Sequence, residues 1–210
     1  TILNTFLAEL RDISIQNDRM RFRRNLERIG EVLSYEMSKS LEYKTVEIKT
    51  PLGISDMELL NENVVICSIL RAGVPLHIGV LNYFDKADNA FISAYRRHQD
   101  ESDDFDIVLE YAACPSLDNK VLVIVDPMLA TGQSLALTFE ALKPFGKPKE
   151  CHIISVIGAQ KGVDYVSTIL PDDTYLWIGA IDKVLNSKGY IVPGLGDAGD
   201  LAFGTKMKHQ

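Results

Sequence analysis

The chain has 210 residues, with 22 Lys and Arg against 29 Asp and Glu, a formal net charge of −7 and a pI near 5.1. The length suits one α/β domain over residues 1–210, and the acidic balance argues against a protein that lives on nucleic-acid backbones or anionic membranes. Cys67, Cys114 and Cys151 are odd in number and outside any C-x-x-C pair, no run approaches the roughly 20 apolar residues of a membrane span, and the first residues lack signal-peptide order, so a cytoplasmic protein is expected.

In chain order, Phe22, Leu26, Ile29, Leu33, Met37 and Leu41 recur at spacings of three and four, which predicts an amphipathic helix over Asn17 to Leu41 with Asn17 or Asp18 as its cap. Arg21, Arg23 and Arg24 read as its solvated face. Pro51 and Gly53 close this N-terminal segment. The wholly apolar run Val64 to Leu70 predicts a strand buried on both faces, with Arg71-Ala72-Gly73 directly after it and a helix around Val74 to Phe84. Strand-like runs follow at Phe91 to Tyr95 and Ile107 to Tyr111. Their connector, Arg96 to Asp106, is polar, acidic and long for a hairpin, and is expected to be a flexible lid.

From Val121 strand and helix alternate: strand Val121–Val125, helix Ser134–Leu142, strand His152–Ile157, helix Val163–Ile169, strand Tyr175–Ile181. The alternation predicts an α/β fold, a mostly parallel open sheet flanked by helices. In such a sheet a ligand sits outside the carboxyl ends of the strands, where Arg71 and Asp126 fall.

The stretch "VLVIVDPMLATGQS" passes from a buried strand to Asp126 and then to small residues before a helix. At a helix entrance the backbone N–H groups lack intrahelical partners and the dipole favours negative charge, so Ala130, Thr131, Gly132, Gln133 and Ser134 form a candidate phosphate loop. Asp126 can accept hydrogen bonds from sugar hydroxyls, and together these describe a sugar phosphate. A plain helix cap beside a strand-end aspartate fits the local sequence equally well. No Walker G-K-[ST] follows. "GLGDAG" at Gly194 to Gly199 matches the dinucleotide fingerprint, but a Rossmann unit requires a further helix, strand and acid that the following residues do not supply.

The run resembles the signature Asp-Pro-Met-Leu-Ala-Thr-Gly-Gly-Ser of uracil phosphoribosyltransferases, with Gln133 as its one departure. The likeness extends through "TPLG" at Thr50, "ILRAG" at Ile69, "GYIVPGLGDAGD" at Gly189 and "FGT" at Phe203. The resemblance implies a phosphoribosyltransferase-like fold with an N-terminal helix, a hairpin lid and a C-terminal base-binding segment. It also implies transfer of ribose 5-phosphate from phosphoribosyl diphosphate (PRPP) to N1 of uracil, with Mg2+ and a homo-oligomer. It assigns PRPP to Arg71, Arg96, Asp126, Pro127, Met128, Leu129, the loop Ala130 to Ser134, and Asp197. It gives uracil to Ile191, Gly196, Asp197 and Ala198, and catalysis to Asp126, Asp197 and Arg96. No protein ligand to the metal is assigned. The donor–acceptor edge of uracil suits a glycine-rich backbone, and cytosine reverses two of its three groups. A transferase for another nucleobase and a non-enzymatic sensor of PRPP or UMP stand as alternatives. Two departures bear on the loop. Gln133 is strained if its position requires positive φ, and Gly158-Ala159-Gln160-Lys161-Gly162 differs from the usual Ala-Pro-Glu-Gly.

Overall fold

The computed structural model describes residues 1–98 and 105–206. From the N-terminus it runs α1 (Ile2–Arg11), α2 (Arg19–Ser38), β1 (Tyr43–Thr50), β2 (Gly53–Leu60), β3 (Val64–Leu70) and α3 (Gly73–Leu81). There follow β4 (Asp88–His98), β5 (Phe105–Ala113), β6 (Val121–Val125), β7 (Met128–Leu129) and α4 (Gln133–Leu142). The chain continues with β8 (Glu150–Ala159), α5 (Gln160–Ile169), β9 (Thr174–Asp182), β10 (Val184–Leu185), β11 (Ile191–Val192) and α6 (Ala198–Phe203).

Strands β5, β4, β3, β6, β8 and β9 lie side by side, and β7 extends the sheet alongside β8 beyond the end of β6. Every pairing is parallel except β4 with β5. The all-apolar central strands have a simple cause, because successive side chains point to opposite faces and both faces are covered. Val64, Ile66, Val123 and Val125 pack with α1, α2 and α3, whereas Val65, Cys67, Leu122 and Ile124 pack with Leu135 and Leu142 of α4 and Val166 of α5.

The long amphipathic helix forms as predicted, two residues later at its start: Asp18 is the cap, its Oδ1 accepting from Arg21 N at 3.0 Å. α1 is an addition, and its Leu3, Phe6, Leu7 and Leu10 supply the same three-and-four spacing. The basic face of α2 is tied down rather than simply solvated. Arg21 pairs with Glu9 at 3.3 Å and Arg24 with Glu27 at 2.5 Å, while Arg23 Nη1 donates to Ala202 O at 2.7 Å. Pro51 and Leu52 form the turn of a two-stranded hairpin, β1 with β2, which pairs with no other strand among the described residues. The predicted connector is also shorter than its sequence suggests. β4 and β5 pair through Arg96 with Ile107 and His98 with Phe105, so strand pairing claims both ends of the span, and 99–104, the rest of the predicted lid, lies outside the described residues. No helix among the described residues is long and apolar enough to cross a membrane.

Two histidines are buried in this framework. Burial is the main cause that pushes the imidazoles of His77 and His152 below their ordinary value. Hydrogen bonding to Asn89 opposes it at His77, and Glu150 opposes it at His152. His152 Nδ1 accepts from Trp177 Nε1 at 3.0 Å, which requires the neutral ring. The unfolded chain therefore binds more protons than the folded one below about pH 6.5. Stability is full above that value and declines as pH falls through it. Thermal melts from pH 7.5 to 5 should show a falling Tm, and His152→Asn, which keeps an acceptor but cannot ionise, should flatten that limb.

Candidate functional site

β3 and β6 are neighbours, with Ser68 opposite Val125, so Asp126 follows β6 and Arg71 follows the two further residues of β3 at the same carboxyl edge of the sheet. Gly73 lets α3 start hard against this pair: a Cβ there would lie 2.7 Å from Ser68 Oγ and 3.0 Å from Val125 O. Asp126 is held by its own backbone. Its N–H donates to Ile154 O at 3.1 Å, and its Oδ1 accepts from Met128 N at 3.3 Å. Pro127 is buried and its carbonyl accepts from both Val156 N, at 3.1 Å, and Ile157 N, at 3.0 Å. Met128 and Leu129 then pair with Ile157 and Gly158. The Pro-Met-Leu part of the motif thus fastens the loop to β8, and the Leu129 side chain belongs to the core.

The helix entrance follows. Gly132 caps α4 with φ +81°, a left-handed conformation suited to glycine, and no side chain caps the helix there. Gln133 is the first helical residue and is not among the positive-φ residues, so the glycine that the conformation requires is already supplied one position earlier. Thr131 Oγ1 accepts from Gln133 N at a long 3.4 Å. α5 buttresses the loop from behind. A Cβ on Gly132 would lie 2.8 Å from side-chain carbons of Tyr165 and Val166, and a Cβ on Gly162 would overlap Ala130 O. The segment Gly158 to Gly162, noted above only for departing from a family pattern, backs the candidate phosphate loop.

The C-terminal segment comes to the same edge. Ile191 is buried and pairs with Leu185. Gly194, at φ +59°, turns back so closely that a Cβ would strike Ile191 O, and Gly196 has φ +93°. Asp197 caps α6, its Oδ1 accepting from Asp200 N at 3.0 Å, and Ala198 opens that helix in the core. Where the resemblance turns the Asp197 side chain toward PRPP or its metal, one of its oxygens here serves α6. Three arginines far apart in the chain hold this segment through its carbonyls: Arg11 Nη1 donates to Gly194 O at 3.1 Å, Arg23 Nη1 to Ala202 O, and Arg71 Nη1 to Gly204 O at 3.1 Å. Arg11 also grips Asp182 with two bonds of 2.8 and 3.1 Å, while Asp182 Oδ2 accepts from Gly194 N at 3.0 Å. Arg71 Nη2 reaches Asp200 Oδ1 at 2.8 Å.

A cleft of 310 Å³ opens beside this segment, lined by Gly196, Asp197, Asp200, Leu201 and Thr205 together with Gln16 and Asn17 from the α1–α2 connection and Arg19 at the start of α2. Sequence reasoning missed those three residues and Arg11, because no motif marks them and only the folded chain brings them to the C-terminal turn. Arg96 sits in β4 opposite Ile107, and its side chain lies outside the described residues.

Neither histidine whose side chain is described serves this edge. His77 Nε2 is bonded to Asn89 Oδ1 at 2.7 Å, and His152 stands near the start of β8 with Trp177. Burial raises the Cys67 thiol and pushes Cys114 up to about 11 and Cys151 up to about 12, so none is an activated nucleophile. No group of three or more His, Cys, Asp or Glu among the described residues forms a cage for a metal ion. What remains at the strand-end edge is the main chain of a helix entrance, a carboxylate and a guanidinium, groups suited to binding and polarising an anionic ligand.

A family model described as uracil phosphoribosyltransferase matches residues 1–205. A uracil phosphoribosyltransferase of Porphyromonas gingivalis is 52% identical across 99% of this chain and 95% of its own, and one of Methanococcus maripaludis is 41% identical across 96% and 86%. Among solved structures, the AQ2163 protein from Aquifex aeolicus matches with a TM-score of 0.87 and 29% identity over 99% of this chain and 96% of that one. A hypoxanthine phosphoribosyltransferase of Staphylococcus aureus shares the fold at a TM-score of 0.50 and 15% identity, over 78% and 76% of the two chains.

The buttress can be probed directly. Gly162→Ala should lower Tm, at a cost of about 1–3 kcal/mol for overpacking, and weaken PRPP binding in the same protein by displacing Ala130. Gly158→Ala, whose Cβ would press the Ile178 side chain at 3.2 Å, should do less on both measures, as read by melts and titration calorimetry.

Proposed function

The chain belongs to the uracil phosphoribosyltransferase family, and from that membership we propose how its residues divide the work of the reaction. The protein is a pentosyltransferase of pyrimidine salvage: ribose 5-phosphate passes from PRPP to N1 of uracil, giving UMP and diphosphate. The observation that carries the residue assignment is the reach of Arg71 from the end of β3 to Asp200 and Gly204, which supports reading the strand-end arginine and the C-terminal turn as parts of one site.

In this reading the main-chain N–H groups of Ala130 to Ser134, with the hydroxyls of Thr131 and Ser134, hold the 5-phosphate at the entrance of α4. Asp126 accepts from the ribose hydroxyls, and Pro127, Met128 and Leu129 contribute through the main chain they anchor to β8. Arg71 and Arg96 take the diphosphate as fixed cations. Ile191, Gly196 and Ala198 read the uracil edge with backbone groups, and Asp197 stands between base and PRPP. Diphosphate leaves as positive charge develops on the ribose, without a covalent enzyme intermediate, so positioning and charge neutralisation supply most of the acceleration. No general base is assigned among the described residues.

Mg2+ fits this donor set. Magnesium keeps several waters and takes one or two carboxylates plus substrate oxygens, so Asp126 or Asp197 would suffice to hold it with the diphosphate, without a cage of three or more protein ligands among the described residues. Bound there, the ion would neutralise charge on the leaving diphosphate. We also infer a homo-oligomer, supported by the β1–β2 hairpin, where Leu52 is fully exposed and Ile54 71% exposed. A cytoplasmic, reducing setting is supported by three unpaired cysteines.

Incubation with PRPP, Mg2+ and each nucleobase in turn tests the reading. UMP should form from uracil, with cytosine poorer by roughly 10⁴-fold, since its reversed groups leave buried partners unpaired. Asp126→Asn should lower kcat/KM by about 10- to 100-fold, the loss of hydrogen bonds to a charged acceptor. An unchanged value would remove Asp126 from the ribose.

A further inference from the structure

Among the contacts at the carboxyl edge, one joins the two substrates' territories through a side chain to which no role has so far been given. Arg71 Nη2 donates to Asp200 Oδ1 at 2.8 Å while Nη1 donates to Gly204 O at 3.1 Å, and both partners of the ion pair are about one-third exposed. Asp200 is itself part of the base-binding turn. Its N–H donates to Asp197 Oδ1 at 3.0 Å, and its carbonyl accepts from Gly204 N at 2.8 Å. Gly199 packs against the guanidinium, where a Cβ would lie 3.4 Å from Arg71 Nη2 and 3.3 Å from Asp197 Oδ1.

We propose that Asp200 is a positioning residue: its carboxylate fixes the orientation of Arg71 for diphosphate and, through the same bond, ties that arginine to the turn that reads uracil. The physical reason lies in the guanidinium. A free arginine on a strand end must give up much of its rotamer freedom to meet an anion, and two bonds to the C-terminal segment remove that freedom beforehand. Each of the two η nitrogens carries a second hydrogen, so the fork still has donors to offer a diphosphate oxygen. Because Asp200, Asp197 and Gly204 are linked by hydrogen bonds, any displacement of Arg71 is felt at the base-binding turn, and the reverse holds by linkage.

The inference rests on the assignment of Arg71 to diphosphate, and a double-mutant cycle separates the two. Steady-state kinetics with both substrates varied, and calorimetric titration of PRPP, would be run on the full chain as wild type, Asp200→Ala, Asp200→Asn, Arg71→Ala and the double alanine variant. Asp200→Ala should raise KM for PRPP and for uracil together, each by about tenfold, with a much smaller change in kcat. Asp200→Asn, which keeps an oxygen acceptor for Nη2, should recover most of the loss. In the Arg71→Ala background, Asp200→Ala should add little, because the two act through one bond.

The proposal is overturned if Asp200→Ala costs as much with Arg71 removed as with it present, if kcat falls while both KM values stay put, or if PRPP binds more tightly, which would make Asp200 a competitor of the diphosphate. An Arg71→Ala protein that binds PRPP as tightly as wild type would instead refute the role of Arg71 itself.

Discussion

Two neighbouring parallel strands that run out toward the same edge, β3 two residues further than β6, set the geometry of this molecule. β3 and β6 pair from Val64 with Val121 to Ser68 with Val125, and the next residues out of the sheet include a cation on one strand and a carboxylate on the other. Parallel pairing requires crossover connections that return to the same end, so every strand of this part of the sheet delivers its loop to one edge. The helices then have to start close to that edge. Gly73 permits this for α3, and Gly132 for α4, because in each case a Cβ would meet backbone or side-chain atoms at 3.0 Å or less.

The backbone of the helix entrance, the candidate anion site, is held in place from two sides. Pro127 O accepts two N–H groups from β8, β7 continues the pairing, and Gly162 of α5 sits directly behind Ala130. A loop of small residues would otherwise be soft. Here it is clamped on two sides and left open on the third, the arrangement that a pre-formed binding surface requires.

The C-terminal segment solves a different problem. Its regular structure amounts to a two-residue strand and a six-residue helix, so many of its carbonyls need partners from elsewhere. Arg11, Arg23 and Arg71 supply them at Gly194, Ala202 and Gly204. Each guanidinium comes from a different element, and together they draw the last part of the chain onto the edge where Arg71 and Asp126 emerge. Two of the three were invisible as functional residues. Arg23 lies in a run of basic residues that reads as a solvated helix face, and Arg11 precedes any motif.

Periodicity and local chemistry determined much of this protein. The apolar runs at Val64, Val121 and His152 defined strands buried on both faces, the three-and-four spacing from Phe22 to Leu41 defined α2, and the strand–turn–helix stretch at Asp126 to Ser134 located the candidate phosphate loop. These features are local, so the residues that cause them lie within a few positions of one another. Tertiary structure alone decided that the left-handed conformation falls on Gly132 and leaves Gln133 unstrained, and that Gly162 backs Ala130. It alone brought Gln16, Asn17 and Arg19 to the C-terminal cleft, and gave Arg71 its bonds to Asp200 and Gly204. Those contacts join residues as far apart as 133 positions, as Arg71 and Gly204 are, and no pattern within either segment specifies its distant partner. The sequence can say that a guanidinium follows a buried strand; packing decides which carbonyl and carboxylate it meets.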